Sequence, residues 1–188
     1  MAILSILQDG DPVLRKQALP VPPELFGTEE LSRLIENMAE TLEVQPDGVA
    51  LAAPQIGISY RMFVVRYDRT LPPPPDGSQE PEPLPSLGIF INPTFIKSSR
   101  RRVEMDEGCL SVRSIFGTTL RHERATLRAQ DDQGKFFERG GGGLLAQIFQ
   151  HETDHLDGIL FIDHAHHLVR IKKKDLNKES EEEIVPLL

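Results

Sequence analysis

The chain has too few cysteines for a disulfide framework and no apolar run long enough to cross a membrane. It contains 188 residues, one of which is cysteine. One cysteine excludes a disulfide within the chain, and a membrane helix needs roughly 18–20 consecutive apolar residues. We therefore expect a single domain that folds without disulfides, has no membrane partner and works in a reducing compartment.

Positive charge is also scarce. The 21 Lys and Arg residues are outnumbered by 29 Asp and Glu residues, giving a net charge of -8. Nonspecific nucleic-acid binding needs a basic surface, so we expect no direct nucleic-acid partner. Residues 1–7 are apolar but are followed by Asp9 and Asp11, which leaves no room for a signal peptide. We expect a cytoplasmic protein, although a transit peptide removed earlier would leave no trace here.

Residues 150–155, Gln-His-Glu-Thr-Asp-His, form the most informative motif. At about 100° per helical residue, His151 and His155 lie about 40° apart and one turn apart, so both rings can reach one ion. Glu152 is offset by about 60° from His155, and its carboxylate can approach water at the ion without ligating it. The motif predicts a hydrolytic metal site with Glu152 as the general base.

Such a site needs a third protein ligand and an open position. The single cysteine, Cys109, lies in the run Glu-Gly-Cys-Leu-Ser at residues 107–111. A lone cysteine taken by itself is more often a small buried hydrophobic residue than a ligand. A third unusual segment, residues 48–57, is apolar and small, and Gln55 is its one obvious polar side chain.

Together, these three segments resemble the motifs of the peptide deformylase family, in the family's order. Those motifs are a Gly/Ala-rich run ending in Gln, the run Glu-Gly-Cys-Leu-Ser, and Gln-His-Glu-x-x-Asp-His-Leu; the resemblance extends from about residue 6 to residue 163. It implies a metal-dependent hydrolase that removes the formyl group from N-formylmethionyl nascent chains and releases formate. Cys109, His151 and His155 would hold the metal, and Glu152 would act first as general base and then as general acid.

The resemblance also implies one divalent ion, with ferrous iron expected. The ligand set by itself suits zinc, iron, cobalt or nickel. A thiolate beside ferrous iron is easily oxidised, so zinc or nickel in purified protein would be unsurprising.

Further roles near the metal follow from the same resemblance. The Gln55 side-chain amide and the Leu110 N–H would stabilise charge on the formyl oxygen. The peptide would add as a strand between the backbones of Val49 and Ala50 on one side and Gly108 on the other.

Four more residues are implied, each with an alternative interpretation. Leu144 and Ile148 would line the pocket for the methionine side chain, but an ordinary core role is equally consistent with the sequence. Glu107 and Gln150 would orient the loop and the ligands, and surface or structural roles are the alternative.

The chain departs from the family pattern at three places. Ala50 stands where a second glycine is usual, and Arg113 to Phe116 replace the usual segment after Ser111. Four glycines, residues 140–143, precede the ligand helix. These departures concern the peptide groove and the helix start, and they leave the expected ligands unchanged.

Sequence periodicity predicts an α+β fold with antiparallel or mixed sheets around the His-Glu-x-x-His helix. One amphipathic helix should start at Thr28, and the ligand helix should start at Gly143 or Leu144 and end near Gly158. Predicted strands cover residues 61–67, 88–91, 101–105 and 119–129. We expect a catalytic domain at residues 1–166, with a proline-rich exposed insertion at 71–85, and a charged tail at 167–188 that is helical or disordered.

Two other functions remain open at this stage. A metalloprotease would share His151, Glu152 and His155, but its usual third ligand lies after the second histidine. A noncatalytic metal-bound protein is the second alternative, although Glu152 and Gln55 are not needed for a structural ion. We expect a monomer whose partner is an N-formylmethionyl peptide, and the sequence gives weak support to a ribosome contact through the tail.

Overall fold

The computed structural model describes residues 2–70, 86–172 and 181–184. These residues contain two α-helices, α1 (Glu29–Glu43) and α2 (Gly143–Leu156). The strands are β1 (Ala50–Ala52), β2 (Met62–Arg66), β3 (Leu87–Ser98), β4 (Arg102–Cys109), β5 (Val112–His122), β6 (Arg124–Gln130), β7 (Phe136–Gly142), β8 (His166–Lys172) and β9 (Glu181–Ile184). The predicted α+β fold is confirmed. In the described ranges, neither helix is long and apolar enough to cross a bilayer.

The strands form two sheets in which neighbouring strands are antiparallel. The first sheet has the order β1-β2-β3-β6-β7 and the second has the order β4-β5-β8-β9. Strand β1 is therefore an edge of the first sheet, and β4 is an edge of the second. Residues from both edges line the same cavity, so this topology provides two open backbone edges around one cleft.

The first sheet is covered on both faces by helices, which explains the apolar run in β2. Phe63 and Val65 belong to the core cluster that contains Phe149 of α2. Met62 and Val64, which point to the opposite face, belong to the cluster that contains α1. Because both faces of β2 are buried, its apolar residues are continuous instead of alternating.

Helix α1 matches its prediction. Thr28 is the N-cap, and its hydroxyl accepts a hydrogen bond from the Leu31 N–H at 3.3 Å. Glu29 and Glu30 occupy the first turn, where their negative charge interacts favourably with the positive end of the helix dipole. The buried face is built from Leu31, Ile35, Met38 and Leu42.

The predicted strand at residues 119–129 is wrong as a single element. Strand β5 pairs with β4 in the second sheet, whereas β6 pairs with β3 in the first sheet. The chain changes sheets at Glu123, whose N–H donates to the Arg101 carbonyl at 3.1 Å. Alternating residues look the same in both strands, so the sequence pattern did not reveal the break.

The expectation of a helical or disordered tail is wrong for residues 167–172 and 181–184. Residues 167–172 lie in β8, which pairs with β5, and residues 181–184 form β9, which pairs with β8. The tail therefore extends the second sheet. The rest of the tail and the proline-rich segment at 71–85 lie outside the described residues.

Candidate active site

Helix α2 brings His151, Glu152 and His155 together. The two histidine rings have centroids 5.0 Å apart. The helix begins at Gly143 without a side-chain cap, and it ends before Gly158, whose φ of 74° is the left-handed conformation expected for a terminating glycine. His155 and Glu152 are buried, which is unusual for ionisable residues and points to a functional role.

Cys109 is the last residue of β4, four residues beyond the end of the predicted strand. Its Sγ lies 3.2 Å from His155 Nε2. One ligand atom from each of Cys109, His151 and His155 lies within 4.8 Å of the others. Metal–ligand bonds of about 2.0–2.3 Å let one ion bind all three atoms after small side-chain shifts. The sulfur and two imidazole nitrogens fit a single divalent transition metal.

The electrostatics of this cluster favour a thiolate. Burial alone would raise the pKa of Cys109, but the neighbouring His155 and His151 outweigh it and hold that pKa well below its usual value. Burial would lower the pKa of His151, but hydrogen bonds to Cys109 and Glu107 raise it well above its usual value. The thiolate is the form of Cys109 that ligates a metal, whereas His151 must release its proton to do so.

Glu152 lies in the same cluster with an unusual protonation equilibrium. Burial raises its pKa to about 7, against the opposing effect of His151 and His155. Its Oε2 atom is buried and has no hydrogen-bond partner among the described residues. A carboxyl group with a pKa near neutrality can both accept and release a proton, as a general base that becomes a general acid must do.

Glu107 fixes the orientation of the His151 ring. Its Oε2 accepts a hydrogen bond from His151 Nδ1 at 3.1 Å, which turns Nε2 of the same ring toward the cluster. Arg121 donates to both oxygens of Glu107, at 2.6 and 2.9 Å, and Thr119 donates to Oε1 at 2.8 Å. Burial would raise the pKa of Glu107, but His151 and Arg121 hold it far below its usual range.

Arg121 was not singled out from the sequence. This buried arginine bonds Glu107 of β4 and also donates to Asp154 of α2 at 2.7 Å. It therefore ties the second sheet to the ligand helix. A charged residue at an inward-facing position of an alternating strand was the available clue, since such a residue is seldom buried without a partner.

Gln150 lies outside the cavity and fixes α2 to β5. Its amide accepts from the His122 N–H at 2.8 Å and donates to the His122 carbonyl at 3.0 Å. Gln147 similarly donates to the Asp106 carbonyl of β4 at 2.8 Å. Both side chains position the ligand helix through backbone contacts and do not touch a predicted ligand.

Gln55 is held so that its amide nitrogen faces the cluster. Its oxygen accepts from the Ala52 N–H at 2.8 Å, and its nitrogen lies 3.1 Å from Ser111 Oγ and 3.6 Å from Cys109 Sγ. Because the oxygen is already bonded to backbone, the amide is fixed with its donors toward the metal site. Ser111 was not singled out from the sequence.

A cavity of about 480 Å³ opens beside these residues. Its walls contain all of the predicted catalytic and substrate-binding residues and two of the three predicted ligands: Val49, Ala50, Gln55, Gly108, Cys109, Leu110, Leu144, Ile148, His151 and Glu152. Leu144 remains 41% exposed although it lies on a buried helix, so it has apolar surface available for a ligand. The cavity volume suits a small side chain and part of a peptide.

The family departures lie at the cavity. Ala50 is buried in β1, where it pairs with Val65. Arg113 and Phe116 line the mouth, and the Phe116 ring covers Gly108. A Cβ at Gly108 would lie only 2.7 Å from that ring, so the position accepts only glycine while Phe116 stays in place.

Comparison with known proteins agrees with this geometry. A sequence model of the polypeptide deformylase family matches residues 3–171. The chain belongs to the polypeptide deformylase family. It is therefore a hydrolase that removes the N-formyl group from nascent polypeptides. The family match extends beyond residue 163, the limit of the resemblance seen in the sequence motifs.

Several relatives of this deformylase match over most of their length. A peptide deformylase from Dehalococcoides mccartyi is 39% identical over 184 residues, covering 98% of this chain and 99% of the relative. One from Heliobacterium modesticaldum is 42% identical over 163 residues, covering 87% and 94%. The catalytic cluster described above therefore lies in a deformylase domain, and the metalloprotease alternative is set aside.

Solved structures show the same fold. A crystal structure of a peptide deformylase from Legionella pneumophila has a TM-score of 0.74 and 39% identity, covering 88% of this chain and 87% of the other. The Met-Ala-Ser-bound class I type b peptide deformylase from Acinetobacter baumannii has a TM-score of 0.75 and 32% identity, covering 87% and 100%.

Proposed function

We propose that Cys109, His151 and His155 hold one divalent ion and that Glu152 moves the protons of formyl hydrolysis. The observation that carries this proposal is the convergence of three ligand atoms within 4.8 Å beside a buried carboxyl group with a pKa of about 7. When bound by these three residues, a divalent ion would supply Lewis-acid chemistry to the formyl carbonyl and the attacking water.

We further propose ferrous iron as the resident ion. One thiolate and two imidazoles bind iron, zinc, cobalt and nickel, so the donor set is compatible with iron but does not select it. The lowered pKa of Cys109 favours the thiolate, which is sensitive to oxidation. This sensitivity supports a reducing compartment such as the cytoplasm.

Glu152 takes a proton from the attacking water while the water oxygen bonds to the formyl carbon. The carbon–nitrogen bond then breaks, and Glu152 passes the proton to the departing amine. The products are formate and a peptide with a free N-terminus. One carboxyl group serves both steps because a pKa of about 7 lets it accept a proton in the first step and release it in the second.

Gln55 and Leu110 stabilise the formyl oxygen in this scheme. The Gln55 amide is already fixed by Ala52 and Ser111, so little reorganisation accompanies the reaction. Donors aimed in advance at a developing charge each contribute about 2.7–4 kcal/mol to barrier lowering.

The peptide is bound between two sheet edges. Strand β1 contributes Ala50 with the adjacent Val49, and strand β4 contributes Gly108. A peptide inserted as an added strand forms hydrogen bonds with both edges and places its first side chain in one pocket. Leu144 and Ile148 provide the apolar surface for the methionine side chain.

The direct test is formate release from formyl-Met-Ala-Ser by anaerobically prepared, iron-loaded protein. We expect formate from the formyl peptide and none from acetyl-Met-Ala-Ser. An unformylated longer peptide, analysed by mass spectrometry, serves as the control for internal cleavage. Metal-loaded protein that releases no formate would contradict the proposal and favour the noncatalytic alternative.

A further inference from the structure

We infer that Arg113 is a positioning residue of the substrate cleft, because its hydrogen bond with Gln45 fixes the gap between the two peptide-binding edges. This inference rests on the proposed function and concerns the part of the peptide beyond formylmethionine. Arg113 belongs to the segment after Ser111 that departs from the family motif.

The contact crosses the mouth of the cleft. Arg113 NH2 donates to Gln45 Oε1 at 2.6 Å, between residues 68 positions apart in sequence. Gln45 lies in the turn that connects α1 to β1, and Arg113 lies in β5 beside β4. Asp47 from the same turn and Arg113 both line the cavity. The bond therefore joins one wall of the cleft to the other.

The Gln45 end of this bond is held firmly. Arg69 donates to the carbonyls of Gln45 at 2.9 Å and Gly48 at 2.8 Å, and its side chain is 23% exposed. Gly48 is packed tightly, since an added Cβ would lie 2.9 Å from Leu42 and 3.3 Å from Leu110. A turn fixed in this way transmits the position of Gln45 to the start of β1.

The Arg113 end is set by a bulge in β5. The pairing with β4 passes from Cys109 with Val112 to Gly108 with Phe116, so residues 113–115 have no partner in β4. Within the bulge, Ser114 has a φ of 62°, the left-handed conformation that side-chain-bearing residues seldom adopt. Bulges redirect side chains, and this one directs Arg113 across the cleft.

The two walls are also joined at the deep end of the cleft. Gln55 Nε2 lies 3.1 Å from Ser111 Oγ and 3.6 Å from Cys109 Sγ. A peptide strand that bonds to both edges needs them about 9.6 Å apart, which is two strand spacings. Hydrogen bonds weaken when the donor–acceptor distance exceeds about 3.2 Å, so a small widening at the mouth would weaken binding there. The contacts of Gln55 keep the distance between the two edges constant at the formyl end of the peptide. The Gln45–Arg113 bond does the same around the residues that follow the methionine.

Steady-state kinetics with two peptide lengths tests this inference. The substrates are the amides of formyl-Met-Ala and formyl-Met-Ala-Ser-Ala-Ala, and the variants are Arg113→Ala, Gln45→Ala and the double variant. We expect each single variant to raise KM for the longer peptide about two- to fivefold, the effect of losing one charged hydrogen bond at an exposed site. KM for the short peptide, kcat, metal content and Tm should stay unchanged.

Two features separate positioning from a general structural effect. The double variant should be no worse than either single variant, because both remove the same bond. Arg113→Lys should recover part of the loss, since it retains a donor. Arg100→Ala, in the exposed turn between β3 and β4, is the matched arginine control and should change neither KM.

Calorimetric affinity for the product peptide Met-Ala-Ser-Ala-Ala gives a readout that needs no turnover. We expect the same two- to fivefold weakening in Arg113→Ala and Gln45→Ala. If the wild type releases no formate, the proposed function fails while this affinity comparison still decides the role of Arg113. Equal effects on both peptide lengths, additive effects in the double variant, or no change in affinity would each overturn the inference.

Discussion

The two α-helices in the described part of the chain are stabilised in opposite ways. Helix α1 has a Thr28 cap, acidic residues in its first turn and one apolar face. Helix α2 starts at a glycine without a side-chain cap, has no acidic residue in its first turn, and buries glutamines, a glutamate and a histidine. The sequence of α1 favours a helix by itself, whereas α2 depends on its surroundings.

The polar side chains of α2 form hydrogen bonds with residues of the second sheet. Gln150 bonds the backbone of His122, Gln147 bonds the Asp106 carbonyl, and Asp154 bonds Arg121. A helix that buries ionisable groups cannot rely on an apolar stripe alone, because each buried polar group needs a partner. Helix α2 therefore has few stabilising features in its own sequence and depends on hydrogen bonds to the second sheet. The same hydrogen bonds orient its side chains.

Replacing Glu152, the proposed proton carrier of α2, should have the largest effect. Glu152→Gln should reduce formate release about 10²- to 10⁴-fold, because the amide cannot accept a proton from water. Metal content should stay the same, since Glu152 is not a ligand. Formate release and elemental analysis of the same preparation measure both quantities. Activity close to that of the wild type would contradict the assigned role.

Removing the main partner of α2 should cost the most stability. Arg121→Met leaves the buried carboxylate of Glu107 without its guanidinium, which we expect to destabilise the protein by about 3–5 kcal/mol. Urea unfolding followed by circular dichroism measures this change. Arg33→Met on α1 is the control, because its exposed pair with Glu29 contributes about 0.5 kcal/mol or less. Similar losses in both variants would remove the contrast between the helices.

The buried Glu152 should also make the stability of the metal-free protein depend on pH. Burial raises the pKa of Glu152 to about 7, whereas the pKa of a glutamate in the unfolded chain is about 4.3. Its contribution is therefore fully present below pH ~4.3 and is lost as the pH rises through about 7. We expect Glu152→Gln to match the wild type in acid and to be more stable by roughly 3 kcal/mol above neutrality.

Urea unfolding of chelator-treated wild type and Glu152→Gln between pH 4 and 8 tests this expectation. Titrating groups far from Glu152 are common to both proteins, so their effects cancel in the difference. His151 does not cancel fully, because Glu152 helps to raise its pKa. A stability difference that does not change with pH would show that Glu152 keeps its ordinary pKa.

Removing the N-cap of α1 should reduce the stability of the protein by a smaller amount. Thr28→Ala deletes the hydroxyl that caps the Leu31 N–H, and we expect a loss of about 1 kcal/mol. Thermal unfolding measures it, and Thr28→Ser, which keeps the hydroxyl, serves as control. An unchanged Tm in Thr28→Ala would mean that α1 also depends mainly on tertiary packing.

The glycine run before α2 offers the finest comparison. Gly143 has a φ of 54°, whereas Gly142 has a φ of −128°, and an added Cβ at either position meets nothing closer than 3.8 Å. Gly143→Ala should therefore destabilise by about 0.5–1 kcal/mol through backbone strain, and Gly142→Ala should be neutral or slightly stabilising. Chemical denaturation of both variants measures the difference, and equal stabilities would exclude strain at Gly143.

Much of the fold and the site was readable from local patterns. The amphipathic period predicted α1, and the spacing of His151 and His155 predicted a shared ion. Contacts between distant segments were less accessible. The strand at residues 119–129 was wrong because a change of sheet leaves the alternation intact. Strands β8 and β9 were missed because their charged sequence resembles that of a surface tail.

The sequence alone determined the chemistry of this protein, because ligand type, helical spacing and the position of Glu152 are properties of a few neighbouring residues. Tertiary structure decided the rest. Only folding brings Cys109 to His155, places Arg121 between Glu107 and Asp154, and joins Gln45 to Arg113 across the cleft. These contacts depend on how two sheets pack around α2, and long-range packing is not encoded in any local period of the chain.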